Sequence, residues 1–128
     1  WDAGVRLYAL PYYATKTTIE KKPEMLAAYV RAASRGWEYA LKNQDEAVKI
    51  VLAADTSGGS TAAVQKRQLE NVAKLITVAN GPKMGFLEPS AYQRTVKVLL
   101  AGGSDPVIKK DPGPDAWTHA VWNKATGK

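Results

Sequence analysis

Cysteine is absent from the chain, and histidine occurs once, at position 119. The first absence removes disulfides, thiolate metal sites and cysteine nucleophiles together, and leaves the redox compartment open. The second leaves little for a histidine-rich metal centre or a Ser-His-Asp arrangement. His119 is read as a surface or helix-packing residue. No run of about eighteen apolar residues occurs, so no segment reads as a membrane span, and no repeat period is visible. No basic-then-apolar leader follows Trp1, and any signal peptide is expected upstream of it. Gly58, Gly59, Gly102 and Gly103 lack the lysine and hydroxyl of a phosphate loop and read as turn and stop signals. No cofactor and no metal is expected.

What is present is the composition of an ordinary globular domain. Hydrophobic residues make up 45% and charged residues 23% of 128 positions, which argues against disorder and against a fibre. The net charge of +6 comes from lysines and arginines spread in ones and twos, the densest pairs being Lys21-Lys22, Lys66-Arg67 and Lys109-Lys110, with acids between them. That distribution reads as solvated faces. Aromatic and basic residues do not alternate as a single-strand platform requires, so nucleic acid is not expected as a partner.

Along the chain, Val5 to Thr18 is β-branched, aromatic and small, which favours an extended strand interrupted near Pro11. Lys22-Pro23-Glu24 starts a long helix whose stripe is Leu26, Tyr29, Val30, Ala33, Trp37, Ala40 and Leu41, with Arg31, Arg35, Glu38 and Lys42 largely off it. Tyr29 and Trp37 are expected in the core. Gly36, in mid-helix, implies a close neighbour over that turn. Asn43 and Glu46 read as a capping box for a second helix with Val48, Val51 and Leu52 inward. Ser60 or Thr61 caps a third, with Leu69, Val72, Ala73 and Ile76 buried and Lys66, Arg67, Glu70 and Lys74 wet, stopped by Asn80-Gly81-Pro82. Pro89 opens a fourth with Tyr92, Val96 and Leu99 inward and Gly102-Gly103 as its stop. Residues 104–115 read as loop with a short extended piece at Val107-Ile108. Asp115 then caps a fifth helix through Lys124, with Trp117, Ala120 and Val121 inward, and at least one of Trp117 and Trp122 packing across onto other helices. One strand followed by about five helices is the expected content. A lone strand needs partners, which come either from a sheet built by another chain segment or from pairing of two copies through it.

The stretch from Tyr12 to Leu52 resembles the ABC-importer solute-binding proteins of the nitrate, sulfonate, taurine and thiamine-pyrimidine group. The resemblance rests on Ala14-Thr15-Lys16 with Ile19, on Lys22-Pro23-Glu24, on Tyr29-Val30-Arg31-Ala32, on Gly36-Trp37-Glu38-Tyr39-Ala40, and on Asn43 with Glu46-Ala47. It continues more faintly through Gln65 to Ile76, Gly85, Phe86, Glu88, and a helix with Tyr92, Arg94, Thr95 and Leu99. It implies an α/β fold of the type II periplasmic-binding-protein kind, of which this chain is the mainly helical C-terminal part. Residues 1–20 would be the hinge-crossing strand and 21–128 the helical portion of the first lobe.

The implied function is extracytoplasmic capture of a small polar, anionic or heteroaromatic solute in an interlobe cleft and its delivery to an ABC permease, without turnover. The implied location is periplasmic or otherwise extracytoplasmic. Where the chain would cross between lobes stand Trp1, Asp2, Arg6 and Tyr8, which are the candidate ligand-binding residues: an indole to stack, a carboxylate and a guanidinium to pair with charge, and a phenol to hydrogen-bond. Alternatives are an enzyme of thiamine-pyrimidine synthesis on the same scaffold, whose cysteine-rich motif is missing here, and a small helical interaction domain.

Overall fold

The computed structural model describes residues 11–79 and 84–128. Those residues form six α-helices and no strand: α1 (Lys16–Lys21), α2 (Pro23–Lys42), α3 (Gln44–Ala54), α4 (Ala62–Ala79), α5 (Pro89–Leu100) and α6 (Ala120–Thr126), with one 3-10 turn at Pro114–Ala116. The expected strand is corrected where it can be followed. Residues 11–15 have no regular structure and Lys16 to Thr18 are already helical. The reason is local: the Thr15 hydroxyl accepts a hydrogen bond from the Thr18 amide at 3.1 Å and caps α1, so a cap at the right spacing outweighs the strand preference of Thr17, Thr18 and Ile19. The short extended piece expected at Val107-Ile108 is likewise not a strand; Val107 is largely exposed, and the Ile108 amide reaches the Leu99 carbonyl at 3.4 Å.

Helix α2 begins as its sequence dictates, with Pro23 in the first turn and Glu24 beside it where an acid favours the dipole. Its end differs from the expectation. Asn43 does not cap α3 through its side chain; both its backbone N–H and its Nδ2 donate to the Tyr39 carbonyl, each at 2.9 Å. Glu46, the other half of the expected box, accepts the Tyr39 hydroxyl at 2.6 Å. Both residues therefore tie the α2–α3 corner together instead of starting α3 alone.

The most extensive packing is α2 on α6, followed by α3 on α4, with α2 on α3 and α1 on α2 smaller. Lys124 pairs with Glu24 at 2.6 Å between α6 and α2, and Lys66 with Asp45 at 2.8 Å between α4 and α3. The Lys66 ammonium holds the Asp45 carboxyl below the usual carboxylate range. In α4 the stripe Leu69, Val72, Ala73 and Ile76 is half-buried and Lys66, Arg67, Glu70 and Lys74 are exposed. In α5, Val96 is buried with Tyr92 and Leu99 half-buried beside it. Both faces match their periodicity.

The core is thin. Among the described residues only Ala27, Ala47, Val48, Val96 and Trp122 are buried. The chain's accessible surface is 9482 Å², whereas a compact monomer of 13.9 kDa exposes about 6,700 Å². Nor does Gly36 mark a close neighbour, since a Cβ built there meets nothing within 4 Å. Gly36→Ala is therefore expected to raise stability by about 0.5–1 kcal/mol through helix propensity alone; thermal denaturation followed by circular dichroism checks it, and a lowered midpoint would contradict the open site.

Candidate functional site

Trp1, Asp2, Arg6 and Tyr8 lie outside the described residues, as does the first half of the proposed hinge crossing. The first described aromatic after them is Tyr12, which sits edge-on to Tyr29 on α2, ring centroids 5.7 Å apart. Trp37 hydrogen-bonds to Tyr12, while partial burial and the neighbouring Tyr29 push the Tyr12 phenol above its ordinary pKa. These rings run along the apolar stripe of α2, yet Tyr12 is 50%, Tyr29 58% and Trp37 37% exposed. Tyr29 and Trp37 are thus not core residues, contrary to the reading of periodicity. The physical reason is that α6 packs against the adjacent side of α2, the side carrying Arg31, Ser34 and Glu38. The two aromatic positions of the stripe are left open, with Tyr12 lying edge-on to Tyr29, while Leu26, Val30, Ala33, Ala40 and Leu41 are half-buried.

Between α2 and α6 runs an open groove of about 280 Å³. Val30, the edge of the Trp122 indole and Ala125 give it an apolar floor; Arg31, Ser34, Arg35, Glu38 and Thr126 supply its polar groups. Arg31 and Arg35 are one helical turn apart, so both side chains leave the same side of α2. The Thr126 hydroxyl donates to the Trp122 carbonyl at 3.0 Å, which leaves its oxygen lone pairs for the groove. Beyond the rim, the Lys128 ammonium stands 5.4 Å from the Trp122 ring centroid. Sequence reasoning placed Arg31, Arg35 and Glu38 on a solvated face; the i, i+4 arginine pair was readable, but the arrival of α6 beside it was not.

Trp122 is held from behind by the segment leading into α5. Its Nε1–H donates to the Met84 carbonyl at 3.2 Å, and Phe86 meets it edge-on at 5.0 Å. Gly85, at φ +77°, turns the chain there, and its Cα side lies close to the indole, with Trp122 Cδ1 3.8 Å from where a Cβ would be. His119 stacks on Phe86 at 4.4 Å and meets Trp117 at 4.7 Å, and Trp117 reaches Tyr92 at 6.1 Å. Since a carbonyl only accepts, the 2.7 Å contact between His119 Nε2 and the Leu87 oxygen fixes the proton on Nε2. His119 is a packing residue in this arrangement. The cluster also corrects the C-terminal helix: the turn at Pro114–Ala116 is followed by extended backbone at Trp117, α6 starts only at Ala120, and Trp122 is the buried member while Ala120 is exposed. Among the described residues no three His, Asp or Glu side chains converge as metal ligands, and no helix is long and apolar enough to cross a membrane.

The family model described as NMT1/THI5 like matches residues 1–47, the stretch that runs through α1 and α2 into the first turn of α3. The match covers 47 of the 128 residues and overlaps the segment whose motifs carry the sequence resemblance. Nothing among the curated proteins and nothing among the solved structures matches the chain.

Proposed function

We propose that this chain forms the C-terminal, helical part of the first lobe of an extracytoplasmic solute-binding protein, which captures a small polar, anionic or heteroaromatic solute between two lobes and hands it to an ABC permease without chemical turnover. The observation that carries the reading is the family match over residues 1–47. The open aromatic stripe of α2 supports it independently. A helix whose apolar face includes Tyr29 and Trp37 normally buries that face against a second layer, and here those two rings stay exposed while the aliphatic positions of the stripe are half-buried. In the proposed protein the layer is the sheet of the first lobe, built by chain segments other than the described ones.

In this reading Arg6 and Tyr8, with Asp2 and Trp1, lie at the crossing and contribute one wall of the cleft; the other lobe contributes the second, and closure about the hinge traps the solute. The test is made on the native product. Fractionation of the source cells is expected to find it outside the cytoplasm, with an intact mass well above the 13.9 kDa of this chain. One member of a panel of small anionic and heteroaromatic solutes is expected to raise its melting temperature without being consumed, because a ligand that binds only the folded state stabilises it. A cytoplasmic product of this chain's own mass, indifferent to the whole panel, would overturn the proposal.

A further inference from the structure

We infer that the groove between α2 and α6 is a binding site for a small organic anion, separate from the interlobe cleft and independent of the transport reading. Two guanidinium groups one turn apart on a helix repel each other mildly, and a shared anionic partner turns that repulsion into attraction. Among the described residues the ion pairs are Lys66–Asp45 and Lys124–Glu24. Neither Arg31 nor Arg35 belongs to one, and Glu38, the one acid lining the groove, pairs with neither of them. The Lys128 ammonium adds a third cation near the Trp122 end.

The chemistry of the lining selects the ligand class. Arginine presents N–H donors in a rigid fork that matches a carboxylate or another flat oxyanion head. Ser34 supplies a hydroxyl donor beside the arginines, whereas Thr126, its proton engaged by the Trp122 carbonyl, offers a carboxylate no donor. Val30, Ala125 and the edge of Trp122 form an apolar floor that a hydrated inorganic ion would leave unused and a ring or short alkyl body would cover. The volume, about 280 Å³, lies at the small end of ligand sites. A small carboxylate on a flat apolar body fits all three features.

Benzoate and inorganic phosphate are the probes, one with an apolar body and one without. They are titrated into the ¹⁵N-labelled chain while the indole N–H signals are followed by NMR. Benzoate is expected to shift the Trp122 indole saturably in the millimolar range, and phosphate to bind several-fold more weakly. In R31Q/R35Q the benzoate affinity is expected to fall at least tenfold, since each charge-assisted fork contact is worth roughly that factor. In R31K/R35K, which keeps the charge and loses the fork, a several-fold loss is expected. Because both arginines are exposed, these variants should keep the wild-type circular dichroism, and the lysine pair tests the site even if the glutamine pair does not fold. Absence of saturation, an unmoved Trp122 signal, or equal affinity in R31Q/R35Q would overturn the site. Phosphate binding as tightly as benzoate would overturn the organic-anion assignment.

Discussion

Trp122→Ala is expected to abolish the cooperative thermal transition of this chain. Among the described residues Trp122 is the largest of the buried side chains, 7% exposed, the others being two alanines and two valines. Truncating a buried tryptophan costs about 3–5 kcal/mol through lost transfer energy and the cavity that remains. The cost here is added to by the Met84 carbonyl, which loses the indole N–H that satisfies it. Small domains hold about 5–15 kcal/mol in total, and one that exposes this much surface belongs at the low end. The same residue joins three parts of the molecule: α6, the Met84–Phe86 segment and the α2 groove. Its loss should therefore release the C-terminal segment as a unit. Near-ultraviolet circular dichroism and a thermal scan read the result directly; a cooperative transition within a few degrees of wild type would show that the α2–α6 contact is not what holds the fold.

Ala27→Leu is the opposite perturbation and the second largest. Ala27 is fully buried, at 0% exposure, and stands one helical turn before Arg31, which lines the groove between α2 and α6. Three added carbons have no space to enter. Overpacking of this kind typically costs about 1–3 kcal/mol, and α6 has only seven residues with which to resist displacement. The expected result is a lowered urea midpoint with little loss of helical signal, because α2 itself gains a strong helix former. The outcome that contradicts close α2–α6 packing is an unchanged or raised midpoint. Ala27→Gly serves as the comparison, since it loses helix propensity and a buried methyl but adds no bulk to the contact.

The contrast between Ala27 and Trp37 shows how much of this molecule can be read from its residues. Both lie on α2, and periodicity assigned Trp37 to the interior while leaving Ala27 unremarked. The structure reverses them. A hydrophobic stripe says which face of a helix would gain from burial, but burial itself depends on an element arriving there. Here α6 arrives on the neighbouring side, guided by the Lys124–Glu24 pair and by Trp122. The same limit explains the groove: Arg31 and Arg35 are visible in the sequence as a pair, but a pair becomes a candidate site only when a second wall stands opposite. The Asn43 and Glu46 spacing was equally legible, yet Tyr39 captured both side chains before they could cap α3.

What the sequence determined by itself was local. Pro23 and Pro89 set helix starts, and Gly102-Gly103 set a stop. The 3.6-residue spacing of apolar positions drew α2, α4 and α5 close to their observed limits. Each of these follows from the chain's own backbone geometry within a few residues. Tertiary structure alone decided which side of α2 is covered, that Trp122 and not Ala120 faces inward, and that two arginines share a groove with an indole. Those outcomes depend on contacts between residues some ninety positions apart, and no local preference encodes the relative placement of two helices when both have more than one face able to pack.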